Sequence, residues 1–88
     1  MTTTLLQQHP DVVDAEVDDE RVLLHCTTGV YYGLNPVGSY LWPLLATPTS
    51  VDELAQRVAD HFDVAADICR PDVEAFLAHL SENGLLAA

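Results

Sequence analysis

Lysine is absent from these 88 residues, and only Arg21, Arg57 and Arg70 oppose 14 carboxylates, leaving a net charge of −11. That balance excludes nucleic acid as a partner, since a phosphate backbone is held through several Lys or Arg contacts. It argues equally against an anionic membrane surface. No apolar stretch approaches the ~20 residues of a membrane span. The longest, Leu41 to Ala46, is interrupted by Pro43. The opening MTTTLLQQHP lacks the basic start and long apolar core of a signal peptide, so the cytoplasm is the expected location. Cys26 and Cys69 form no C-x-x-C spacing and read as reduced thiols. The four histidines lack the paired spacing of a zinc site, so neither metal nor cofactor is expected.

What is present is a chain 49% hydrophobic, long enough for one small core. Residues 1–10 are polar and aperiodic and read as a flexible N-terminal arm; residues 11–88 read as a single domain. From Val12 to Leu34 the pattern has a period of two. In Val13-Asp14-Ala15-Glu16-Val17 the apolar residues share one face and the carboxylates the other. Asp18-Asp19-Glu20 reads as a turn. Val22, Leu24 and Cys26 share a face of the next strand, Thr27-Thr28-Gly29 turns again, and Val30, Tyr32 and Leu34 are in phase in the last. Short turns between successive strands predict an antiparallel meander.

Asn35-Pro36 changes the period: asparagine caps a helix well and proline suits its first position. Pro43 should shorten or bend this first helix near its end. Ser50-Val51-Asp52-Glu53 is a capping box ahead of an apolar stripe at Val51, Leu54, Ala55, Val58 and Phe62. A third helix carries Val73, Phe76, Leu77 and Leu80 and stops at Asn83-Gly84; either Asp67 caps it, with Pro71 inside the first turns, or it begins at Pro71. Leu85-Leu86 should fold back onto the core. The class is therefore α+β, a three-stranded antiparallel sheet followed by three helices, with helices of winged helix-turn-helix length.

Catalysis finds no support. Ser39, Ser50 and Ser81 read as a helix residue, a cap and a helix-surface residue, and the carboxylates crowd turns and solvent faces. The helix that would enter a DNA groove offers carboxylates and no cation. Peptide or protein binding remains. The last strand of a meander is an edge with free N–H and C=O groups, and here Tyr31-Tyr32-Gly33 carries no charge or proline to guard it. An open edge near a helix bearing Phe76 and Leu77 suits strand addition.

The segment Tyr31-Tyr32-Gly33-Leu34-Asn35-Pro36-Val37-Gly38-Ser39-Tyr40-Leu41-Trp42 resembles the Y-x-L-N-x-x-G-x-x-x-W signature of PqqD-like proteins, the precursor-peptide recognition elements of ribosomally synthesised, modified peptides. The likeness runs over residues 12–86, ending in L-x-x-x-G-L-L at Leu80 to Leu86. Among such proteins the chain is most similar to the stand-alone B1 proteins of lasso peptide biosynthesis. The resemblance implies a binder rather than an enzyme, one that takes the leader of a precursor peptide as an extra strand beside the third strand. It implies delivery of that peptide to a leader peptidase of the B2 type and an ATP-dependent macrocyclase. Carried onto this sequence, the peptide would meet Val30, Tyr31, Tyr32, Gly33 and Leu34 on the strand. On the helix it would meet Asp72, Val73, Phe76, Leu77 and Leu80. Asn35, Gly38 and Trp42 would hold the fold. The alternative within the resemblance is a PqqD-like peptide chaperone for a radical SAM enzyme. Outside it stand an acyl or peptidyl carrier protein, for which the D-S-L attachment site is missing, and a degenerate winged-helix regulator.

Overall fold

The computed structural model describes residues 5–18 and 20–87. Its elements are β1 (Val12–Val17), β2 (Glu20–His25), β3 (Tyr31–Leu34), α1 (Pro36–Leu44), α2 (Val51–Phe62) and α3 (Ala66–Glu82). The strands pair antiparallel in the order β1-β2-β3, as the short turns predict. Glu20 belongs to β2 rather than to the preceding turn, where Asp18 takes a left-handed φ of 52° that aspartate tolerates. Gly29, at φ 74°, supplies the second turn and donates its N–H to the His25 carbonyl at 2.8 Å.

The face of the sheet that meets the helices is set by Val12 and Leu23. Both are buried, with His25 beside them, and Tyr32 lies opposite Leu23 in the register. The Val13–Ala15–Val17 face is therefore the outer one, as is that of Val22 and Leu24. Asp14 and Glu16 share the inner parity with Val12, but they lie towards the turn, where both pair with Arg21. Burying Val12 and Leu23 forces this choice, because a one-residue change of phase turns every side chain over.

Asn35 caps α1, its side-chain oxygen accepting from the Gly38 N–H at 2.7 Å. The helix ends one residue past Pro43, which lacks the N–H to extend it. Trp42, Leu41 and Leu45 project from this region into the core alongside Leu54, Val58, Val73, Leu77, Leu80 and Leu85. Ser50 caps α2 by accepting from the Glu53 N–H at 3.2 Å, and Asp63, at φ 56°, ends it. Replacing Ser50 with alanine should lower the unfolding free energy by about 0.5–2 kcal/mol in a urea titration. An unchanged midpoint would show that the cap contributes nothing.

Of the two starts open for α3, the earlier is found, though Asp67 is not its cap. The helix follows Ala65, which offers no side-chain bond, and Asp67 and Pro71 lie inside it. Gly84, at φ 70°, reverses the chain and Leu85 returns to the core, donating its N–H to the Leu80 carbonyl at 2.9 Å.

The arm expected over residues 1–10 falls partly outside the described residues, at 1–4. The remainder is bonded to the body of the protein. Leu6 and Thr49 exchange backbone hydrogen bonds at 2.7 and 2.9 Å. Gln8 donates its backbone N–H to the Leu45 carbonyl and its side-chain amide to the Trp42 carbonyl, at the end of α1 where carbonyls lack helical partners. His9 donates to Leu85 and Ala87 donates to Gln7, so the two ends of the described chain lie side by side.

Candidate peptide-binding site

β3 is short and rich in residues suited to extended backbone, and it is the last strand of the sheet. His25 donates its N–H to the Val30 carbonyl at 3.1 Å, which sets the alternation of the ladder. Tyr32 and Leu34 then direct their backbone groups towards β2. Tyr31 and Gly33 direct theirs to the open side, where no strand pairs among the described residues. Side chains alternate on the other axis: Tyr32 and Leu34 are half-buried against the core, while Tyr31 is 70% exposed on the outer face. Val30 precedes β3 and is exposed.

A groove of about 440 Å³ opens where β3 passes into α1 and α3 crosses behind. Asn35, Val37, Asp72, Ala75, Phe76 and His79 line it. The four α3 residues follow the i, i+3, i+4, i+7 spacing of one helix face. Val73, Leu77 and Leu80, expected from the sequence to meet the peptide, lie instead in the core at 0%, 5% and 0% exposure. They support the groove from behind. Asp72 and Phe76 are at its surface as expected. Ala75, His79 and Val37 were missed, although the spacing of Ala75 and His79 from Asp72 was a usable signal.

Phe76 owes its position to Gly38. A β-carbon at residue 38 would come within 2.8 Å of the Phe76 ring, so only glycine lets the ring rest on α1. The charge of the groove is equally local. Arg70 pairs with Asp52 and, at 3.6 Å, with Glu74; the hydrogen bond that Arg70 donates to Asp52, and the charge of that carboxylate, raise the Arg70 pKa further. Glu74 is thereby partly neutralised. Asp72 has no ion pair among the described residues and gives the groove a negative rim. No group of His, Cys, Asp and Glu among the described residues is arranged to hold a metal ion.

The family model described as Coenzyme PQQ synthesis protein D (PqqD) matches residues 20–86. The chain belongs to the PqqD family. No curated protein matches this family member closely enough to be compared. Solved structures do. TbiB1, in complex with the TbiA(beta) leader peptide, is 35% identical, with a TM-score of 0.81 over 93% of this chain and 95% of that one. A lasso peptide synthetase B1 complexed with its leader peptide is 25% identical, with a TM-score of 0.80 over 94% and 98%. The PqqD truncation of Methylobacterium extorquens PqqCD, described as a stand-alone recognition element, shares the fold at 19% identity. Its TM-score is 0.79 over 96% and 89%. Within the matched span, Leu34-Asn35-Pro36-Val37-Gly38 lies at the junction of β3 and the groove, where Asn35 caps α1 and Gly38 admits Phe76.

Proposed function

We propose that this chain binds the leader of a ribosomally made precursor peptide as a fourth strand on β3 and presents it to the leader peptidase and macrocyclase of a lasso pathway. The observation that carries this reading is the pairing of an open edge, with the Tyr31 and Gly33 backbone unclaimed, and a groove floored by Phe76 beside it. Backbone bonds along β3 supply affinity for any extended segment, and the groove selects side chains. Ordering a disordered leader costs about 2–5 kcal/mol, so a few buried anchors must carry the binding. Asp72 favours a leader with a basic residue near its anchor and speeds its association. The likeness to two leader-bound B1 proteins supports the lasso reading over a radical SAM pathway, for which the PqqCD truncation offers likeness of fold alone.

Fluorescence polarisation of a labelled leader provides the test. Phe76→Ala should weaken binding by about tenfold or more, as loss of a central aromatic anchor does, with circular dichroism confirming the fold. Unchanged affinity in the folded variant would remove the groove from the site.

A further inference from the structure

Of the three arginines, Arg21 holds Asp14 and Glu16 and Arg70 holds Asp52 and Glu74, whereas Arg57 has no ion pair among the described residues. Carboxylates are near it on α2: Glu53 lies four residues before it and Asp60 three after, the spacings of neighbouring positions on a helix. Both are engaged elsewhere. Glu53 accepts from the Thr49 hydroxyl at 3.4 Å, and Asp60 accepts from the Gln56 side-chain amide at 3.0 Å. The Arg57 guanidinium is left open to solvent on a chain whose net charge is −11.

Arg57 stands at a hollow of about 230 Å³ in the seam between α1 and α2. Pro43, Leu44, Thr47, Pro48 and Leu54 line it as well, at the point where the chain leaves α1. One turn away along each helix, Tyr40 stacks on His61 with ring centroids 4.0 Å apart, and Phe62 meets Tyr40 edge-on. The seam thus combines an apolar socket, an aromatic ridge and a free cation. Small-molecule sites run from about 300 to 1,000 Å³, so the hollow suits a single side chain inserted from another protein. It shares no lining residue with the groove beside β3.

Charge and the order of reactions identify the occupant. A guanidinium holds a carboxylate through paired N–H bonds, so an apolar side chain in the hollow beside an acidic one on Arg57 satisfies the site. A second copy of this chain would bring its own net −11 against the seam. Once a leader peptidase has cut the precursor, the core is no longer joined to the leader. An enzyme that consumes the core then gains nothing from the leader held on β3 and needs a contact with this protein itself. We infer that the α1–α2 seam docks the macrocyclase, which inserts an apolar side chain flanked by an acidic one between Leu44 and Arg57. Docking here rests on the leader-binding reading and engages empty and loaded protein alike.

The experiment uses the full chain, a labelled leader and the purified macrocyclase of the same pathway. Arg57→Glu reverses an exposed charge, and Ala46→Trp fills the hollow from an exposed position on its lining. Both variants should keep the parental circular dichroism and bind leader within about twofold of the parent, as changes remote from a binding groove do. The parent should bind macrocyclase equally with and without leader. Arg57→Glu should weaken that binding by about tenfold or more, with a loss that shrinks as salt rises, and Ala46→Trp by a similar factor that salt leaves unchanged. Parental macrocyclase binding by folded Arg57→Glu protein overturns the assignment of this seam, as does binding by the parent that appears only with leader present. Intact leader binding without any macrocyclase binding overturns the docking and leaves the leader reading standing. Absent leader binding by the parent overturns both. Parental dimers in sedimentation that Arg57→Glu converts to monomers would give the seam to a second copy instead.

Discussion

Gly33→Pro should abolish measurable leader binding while leaving the domain folded. The N–H of Gly33 faces the open side of β3, so proline removes no bond to β2 and an edge strand accepts it. The incoming strand would lose one of the few donors available to it and meet the pyrrolidine ring where it must approach closely. Space is not the obstacle, since a β-carbon at residue 33 has nothing within 4 Å. The change should cost at least about tenfold in affinity, the scale of a lost buried hydrogen bond plus a steric block. The measurement is leader titration beside a thermal melt. A folded Gly33→Pro protein that binds leader normally would show that the leader does not add to this strand.

Trp42→Ala should remove most of the protein's folding stability. Trp42 is 1% exposed and among the largest fully buried side chains of the core. Truncating a buried tryptophan costs about 3–5 kcal/mol, against a total of about 5–15 kcal/mol for a typical domain, with small ones near the lower end. Its indole N–H has no hydrogen-bond partner among the described residues, so Trp42→Phe removes a buried unpaired donor as well as volume. Its cost should accordingly be much smaller than that of alanine. Urea denaturation of the two variants checks both, and equal losses would show that cavity size does not govern this site.

The order of elements was legible because the local signals agreed. Alternation changed to helical spacing at Asn35-Pro36, Ser50 and Glu53 marked α2, and Gly29 and Gly84 marked reversals. The orientation of the sheet was not legible. Val12-Val13 and Leu23-Leu24 put apolar residues in both phases, and only packing against the helices makes Val12 and Leu23 the buried pair. The same limit applied to α3. Its apolar stripe points at the core through Val73, Leu77 and Leu80, whereas the groove lies along the margin of that stripe, through Asp72, Ala75, Phe76 and His79. Phe76 belongs to both and was found from sequence; the others required the position of α1. The start of α3 was ambiguous because no capping side chain marks it. Bonds between residues 6–9 and distant partners leave no periodic trace, so that segment read as an arm.

Those bonds bear on the order in which the molecule assembles. Gln7 and Ala87 are neighbours in space though nearly the whole sequence separates them, and closing so long a loop costs about 4 kcal/mol of chain entropy before any reward is returned. The strands and helices rest on contacts much nearer in sequence and can form before that loop is closed, so the clasp between residues 6–9 and 85–87 forms last.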